Sequence, residues 1–302
     1  MTWENQIEEF KNFLNLEKGL SFNTLLAYIQ DIEKLRQFVV EIKKLQLEPN
    51  VLDSSLLEEF IFFIAELGVS QATQARIISG VRAFYKFLLI SNRIQTNPAT
   101  LLEAPKIGRK IPDVLSIEQI DKMINSIDLS QSLAYRNRAI IETLYSCGLR
   151  VSELAQLKIS NVFVEQEFIR VIGKGDKQRL VPISNQALTF INEYFNFERK
   201  LLSIPEKNQD FVFLNRRGQP LSRVMIFYIV KEVASIAGIS KNIHPHTFRH
   251  SFATHMVEAG ADLRAVQEML GHQSILTTEI YTHIDQNFLR QTILLHHPHS
   301  KK

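Results

Sequence analysis

The sequence predicts a mainly α protein with a small antiparallel β-sheet in the second of two domains. Three observations carry this. Apolar residues recur at helical spacing through residues 1–103. The period shortens to that of strands around residues 168–183, on either side of a glycine-rich turn. Between the two patterns, residues 104–113 hold two prolines, one glycine and three basic residues with little periodicity, which marks a linker.

The first domain, 1–103, reads as helices throughout. Ile7, Phe10, Phe13 and Leu14 fall on one helical face, and Leu25, Tyr28, Ile32, Leu35 and Phe38 on another, with Ser21 placed to cap the second helix. A third segment, Ser54 to Leu67, carries Leu57, Phe60, Ile61 and Ile64 and is closed by Gly68. A fourth runs from Ser70 or Thr73 to about Ser91, with Ile77, Val81, Phe84, Tyr85 and Leu88 on one stripe, before the breaker Asn97-Pro98. Four or five helices with short joins make a small bundle.

The linker 104–113 carries Lys106, Arg109 and Lys110. Two readings stand: an ordinary loop, or a basic strap along a phosphate backbone. The second domain, 114–302, opens with Ser116-Ile-Glu-Gln, a capping-box pattern. Helices are expected around Arg136–Ser146 and after Gly148. Two short β-rich runs, Phe168–Ile172 and Arg179–Ile183, flank Gly173-Lys-Gly-Asp-Lys-Gln, a hairpin with Lys174 at its tip. Helices return at 185–202, 222–237, 247–259, 263–270 and 274–282.

Composition narrows the function classes. The chain is 45% hydrophobic and 22% charged, the mix of a soluble globular protein. One cysteine, Cys147, rules out an intramolecular disulfide framework and fits a reducing cytosol. The polar start reads as no signal peptide, and runs such as 60–65 are too short to span a bilayer, so a cytoplasmic protein without a membrane partner is expected. Residues 1–103 hold 10 Lys+Arg against 13 Asp+Glu, a net of −3, while 104–302 hold 25 against 19, a net of +6. The second part is the better candidate for an anionic partner.

Taken singly, the candidate residues have bland explanations. His246 and Arg249 share a helix face but read equally as a cap and a surface charge. Arg150 can pair with Glu153, Lys174 is a turn lysine, His272 a helix end and Tyr281 a half-buried aromatic. Together they are a complete set for phosphoryl transfer without metal. Arginine forks match the oxygens that gain charge on an attacked phosphodiester. A lysine can protonate the leaving oxygen, a histidine can handle the phenol proton, and tyrosine can form a covalent phosphotyrosine that stores the broken bond. No ATP and no cofactor are needed. His296-His-Pro-His299 lacks helical ligand spacing and an acidic cluster, and is read as a tail with no metal.

Five ordered motifs carry a resemblance: Gly148-Leu-Arg-Val-Ser-Glu-Leu154, Gly173-Lys-Gly-Asp-Lys-Gln-Arg179, His246-Thr-Phe-Arg-His-Ser-Phe-Ala-Thr-His255, Leu270-Gly-His272 and Thr277-Thr-Glu-Ile-Tyr-Thr-His283. The sequence resembles the tyrosine recombinase (phage integrase) family across the second domain, and extends to the first through Thr24-Leu-Leu-Ala-Tyr28 and Arg82-Ala-Phe-Tyr-Lys-Phe-Leu88. The resemblance implies an N-terminal SAM-like core-binding bundle and a C-terminal catalytic domain. It implies Arg150 and Arg249 on the scissile phosphate, Lys174 protonating the leaving oxygen, His246 assisting Tyr281, His272 on the phosphate and Glu153 orienting the site. A 3′-phosphotyrosine intermediate follows.

Within the family the Xer recombinases look most similar, through Gly260-Ala-Asp-Leu-Arg-Ala-Val-Gln-Glu-Met-Leu-Gly-His272 and an expected lack of an arm-binding domain. That likeness implies resolution of chromosome dimers at a dif-like site before cell division. It also implies duplex DNA carrying a specific site, a homo- or hetero-tetramer with a second Xer recombinase as the hetero partner, and an FtsK-type DNA translocase. The segment 71–86, with Gln74, Arg76 and Arg82, is the candidate major-groove reader. The apolar segment Asn287-Phe-Leu-Arg-Gln-Thr-Ile-Leu-Leu295 either packs on its own domain or, as the resemblance implies, docks into a neighbouring protomer. The alternatives are an integrase of a mobile element, a type IB topoisomerase, a non-catalytic DNA-binding protein of the same fold, and a metal-dependent nuclease. The last would need carboxylates that the segment 244–255 lacks.

Overall fold

The structure, a computed structural model, describes residues 2–16, 22–105, 113–173, 177–271 and 286–300. The chain divides into two compact units, Met1–Lys110 and Ile111–Lys302. The first is a helical bundle of α1 (Trp3–Leu16), α2 (Phe22–Gln37), α3 (Ser54–Glu66) and α4 (Gln71–Ile90). The helices start where short polar side chains cap them. Asp53 accepts from the Leu56 N–H at 2.9 Å, and Ser70 accepts from Thr73. Their apolar stripes meet in a core of Phe10, Ile32, Phe38, Phe60, Val81 and Phe84.

Gly80 lets α2 and α4 approach closely. A Cβ there would stand 3.1 Å from Asp31 Oδ2. Asp31 is fully buried and ion-paired with Arg76, which also donates to the Ala27 carbonyl at 3.3 Å. Burial raises the Asp31 pKa above the usual carboxylate range in spite of Arg76. Arg82 donates to the Leu102 carbonyl and Gln74 to that of Val69, so all three candidate reading side chains also tie α4 to its own bundle.

The second unit follows α5 (Ile117–Asn125), α6 (Ala134–Ser146) and α7 (Val151–Ala155) with a three-stranded antiparallel sheet. Its strands are β1 (Val162–Phe163), β2 (Phe168–Ile172) and β3 (Gln178–Pro182), in register Phe168↔Pro182 and Ile172↔Gln178. The hairpin agrees with the sequence expectation; the two-residue β1, too short to show a period, was not legible there. Then come α8 (Asn185–Phe197), α9 (Arg223–Ile236), α10 (Pro245–Glu258), α11 (Leu263–Leu270) and α12 (Gln286–His296). Ile140, Leu144, Ile169, Val181, Phe213, Phe248 and Phe252 lie in one core.

Two expectations need revision. The helix expected over 185–202 stops at Phe197, and Arg199–Leu201 forms a 3-10 turn. Glu198 leaves the helical region because its carboxylate accepts the backbone N–H groups of Tyr135 and Arg136 at 3.1 and 3.0 Å. It thereby caps the start of α6, whose own Leu133 offers no side-chain cap. The histidine-rich tail, in turn, is core. His297 and His299 are buried, and His299 places Nδ1 2.8 Å from Glu142 and Nε2 3.0 Å from Asp121. Leu289 and Ile293 of α12 join the same core, so in this single chain α12 packs on its own unit. The helix expected over 274–282 lies outside the described residues.

Burial, with the nearby charges of His299 and His255, lowers the His297 pKa to about 3. The ring Nδ1 accepts the His299 backbone N–H at 3.2 Å, which requires the neutral imidazole. The folded protein therefore refuses a proton that the unfolded chain takes up near pH 6.5. Stability should fall as pH drops below about 6.5 and go on falling toward about 3, by at most about 1.4 kcal/mol per pH unit from this group. Denaturation at several pH values should show that slope flattened in His297→Gln, whatever that variant's absolute stability.

Candidate active site

The site grows from the turn between α6 and α7. Gly148 takes φ +56°, and a Cβ there would lie 2.6 Å from the Phe252 ring of α10. The turn delivers Arg150 to the start of α7. Its backbone N–H donates to Glu153 Oε2 at 2.8 Å and its Nη1 to Oε1 at 2.9 Å. Glu153 is buried, and β3 supplies a second arginine. Arg179 forks the same carboxylate, Nη1 to Oε1 at 2.8 Å and Nη2 to Oε2 at 2.9 Å.

Three arginines also meet the C-terminal end of α11. Arg179 Nε donates to the Met269 carbonyl at 2.8 Å, Arg249 Nη2 to Leu270 at 2.5 Å and Arg150 Nη2 to Gly271 at 3.1 Å. A helix C-terminus exposes unpaired carbonyls and the negative end of the dipole, so cations are favoured there. Gly271 ends the helix at φ +65°. Arg249, on α10, donates its other Nη to the Gly148 carbonyl at 2.8 Å. The two glycine turns and the two candidate phosphate-binding arginines are thus hydrogen-bonded together.

Electrostatics follow from this crowding. Burial alone would raise the Glu153 pKa, but hydrogen bonds and charge from Arg179 and Arg150 outweigh it and hold the carboxyl below its usual range. Burial, then the charge of Arg150, lowers the Arg249 pKa to about 10. His246, exposed at the start of α10, is lowered by partial desolvation and then by the positive charges of His244, Arg249, His250 and Arg150. It is held neutral, the form that can accept a proton. Burial pushes the Cys147 thiol up to about 12, which removes it as a nucleophile. Beside these groups opens a cleft of about 890 Å³, lined by Arg150, Glu153, Lys177, Arg179, Glu268 and Gly271 among others.

Four of the expected site residues, Arg150, Glu153, His246 and Arg249, stand in this neighbourhood. Lys174, His272 and Tyr281 lie outside the described residues, as do the linker residues Lys106, Arg109 and Lys110. Gln74, Arg76 and Arg82 belong to the first unit. Arg179 is a residue of the site that sequence reasoning missed. Its signal was position: it shares a strand face with the buried Val181, where an unpaired guanidinium would be costly.

The profile described as the Phage integrase family matches residues 113–287, and that of the phage integrase N-terminal SAM-like domain matches 7–91. These matches span most of the chain and make it a site-specific DNA recombinase: it belongs to the tyrosine recombinase (phage integrase) family. Curated relatives named Tyrosine recombinase XerD include that of Listeria monocytogenes serotype 4b, 42% identical over 97% of this chain and 98% of its own. That of Chlorobaculum tepidum is 41% identical over 98% and 97%. Among solved structures, XerH recombinase bound to palindromic difH substrate in a post-cleavage complex is 26% identical at a TM-score of 0.72, covering 97% of this chain and 89% of that one. A lambda integrase dimer on a core site, 17% identical over 94% of this chain and 100% of that one at a TM-score of 0.71, shares the fold. Among the described residues no helix is long and apolar enough to cross a membrane.

Gly148→Ala should be severe. Left-handed backbone and the clash with Phe252 together cost about 2–5 kcal/mol. Thermal unfolding should show a large drop in Tm, whereas Ala at Gly173, where an added Cβ would meet nothing closer than 3.5 Å, should show little.

Proposed function

We propose that this chain cuts and rejoins duplex DNA at a specific site through a covalent phosphotyrosine formed by Tyr281. The observation that carries the reading is the convergence of Arg150 and Arg249 on Gly148, Leu270 and Gly271 beside an open cleft. Among the described residues each guanidinium bonds through its two Nη groups alone, and in this reading its remaining N–H groups meet phosphate oxygens.

In this reading the Tyr281 oxygen attacks the scissile phosphorus, and the bond to the 5′ oxygen breaks. A 3′-phosphotyrosine forms. Neutral His246 takes the phenol proton, and Lys174 returns one to the leaving 5′ oxygen. Arg150 and Arg249 balance the charge that builds on the non-bridging oxygens, and His272 hydrogen-bonds the same phosphate. Glu153 orients Arg150. The reverse attack by a 5′ hydroxyl from the other duplex rejoins the strand with no external energy.

The relatives named XerD, and XerH on its difH substrate, support an Xer role: chromosome dimer resolution at a dif-like site before cell division. Four protomers, all of this chain or shared with a second Xer recombinase, would hold two sites, with an FtsK-type translocase as activator and α12 exchanged between protomers. Residues 104–113 would follow the phosphate backbone, and α4 would face the major groove, with Gln74, Arg76 and Arg82 exchanging bundle contacts for base edges.

The test is adduct formation on nicked duplex DNA carrying a dif-like site, in EDTA, read on a denaturing gel. The wild type should form a protein–DNA adduct and Tyr281→Phe none. An adduct that persists in Tyr281→Phe means another nucleophile, and one abolished by EDTA means metal chemistry.

A further inference from the structure

We propose that Arg179 is a positioning residue for strand cleavage, holding Glu153, and through it Arg150, at the edge of the cleft. The inference rests on the reading of Arg150 as a phosphate-binding arginine. It explains why the site contains more arginine than the phosphate needs.

Arg150 and Arg179 share one carboxylate but differ in what they have left. The Arg179 side chain is 13% exposed, and its Nε, Nη1 and Nη2 are all committed to Met269 and Glu153. The Arg150 side chain is 37% exposed. Both line the cleft, but the Arg179 guanidinium is committed to protein partners while that of Arg150 is the more exposed. The lock is matched on its far side: a Cβ at Gly271 would stand 3.2–3.3 Å from the Arg179 guanidinium and Cδ, so the glycine lets the arginine lie against the end of α11. Arg179 therefore joins three elements at one point: β3 that carries it, α7 through Glu153, and α11 through Met269.

Glu153 needs that partner. It is buried, and among the described residues the groups facing it are Arg150 just before α7, Arg179 on β3 and Arg249 on α10, with Lys177 and Glu268 on the rim of the same cleft. Among these Arg179 alone forks both oxygens through its two Nη groups. Without it, burial dominates and the carboxyl binds a proton more readily. A protonated Glu153 no longer holds Arg150 by charge. Lysine is a poor substitute, because one ammonium cannot fork the carboxylate and reach the Met269 carbonyl in the same plane.

The experiment uses the full chain and the nicked duplex on which the wild type forms its adduct. Adduct rate is followed across pH about 5.5–9, alongside DNA affinity, for Arg179→Met, Arg179→Lys, Glu153→Gln, the double variant Arg179→Met with Glu153→Gln, and Arg150→Gln. Arg179→Met should slow adduct formation by about 100-fold near neutral pH, as expected for a misplaced catalytic group, with DNA affinity little changed. Part of the rate should return as pH rises, because Glu153 ionises again. Arg179→Lys should lie between, and the double variant should lose the pH limb. A carboxyl titration by 13C NMR on glutamate-labelled protein, assigned through Glu153→Gln, needs no cleavage. It should show Glu153 titrating higher in Arg179→Met than in the wild type. An unmoved Glu153 titration overturns the inference, and so does an unchanged adduct rate or a loss that lies wholly in DNA affinity. Full adduct formation in Arg150→Gln would instead remove the phosphate-clamp reading beneath it.

Discussion

One buried carboxylate organises the second unit. Glu153 draws Arg150 and Arg179 to the same pair of oxygens, and those arginines, with Arg249, bind successive carbonyls at the end of α11. Three guanidinium groups this close would repel one another in isolation. One full negative charge and a helix C-terminus offset that repulsion. Among the described residues the three guanidinium groups outnumber the one carboxylate they share, and the hydrogen bonds hold them in fixed positions.

The two units meet different demands. In the first, polar groups are consumed internally: Asp31 takes Arg76, and Arg82 takes the Leu102 carbonyl. Gly80 brings α2 against α4, where buried Asp31 pairs with the partly exposed Arg76. In the second, three arginines share one carboxylate among the described residues, and Arg150 and Arg179 line a cleft. The charge split of −3 and +6 in the sequence is the coarse sign of that difference.

Much of this was legible in the sequence. Helical spacing located α1 to α4, and Ser70, Ser116 and Ser222 cap helices that the pattern had placed. The hairpin followed from two β-rich runs around a glycine turn. Arg150, Glu153, His246 and Arg249 were legible because their types and spacing recur as motifs. What stayed hidden depends on distant partners. Glu198 ends α8 because it caps α6, from 62 and 63 residues away in sequence. Arg179 matters through Glu153 and Met269, and no local period announces either contact. His297 and His299 look like a polar tail until the partners of His299 are found in α5 and α6.

That last contact bears on how the chain reaches its native state. His299 meets Glu142 across a separation of 157 residues, and α12 completes a core begun by α5 and α6. Local helices form in microseconds, whereas a contact this remote must wait for the intervening chain to be ordered. On a ribosome, α6 emerges long before the histidine that satisfies it. Glu142 and Asp121 stay hydrated in the nascent chain, and the second unit reaches its full cooperative stability only after residue 299 has left the exit tunnel.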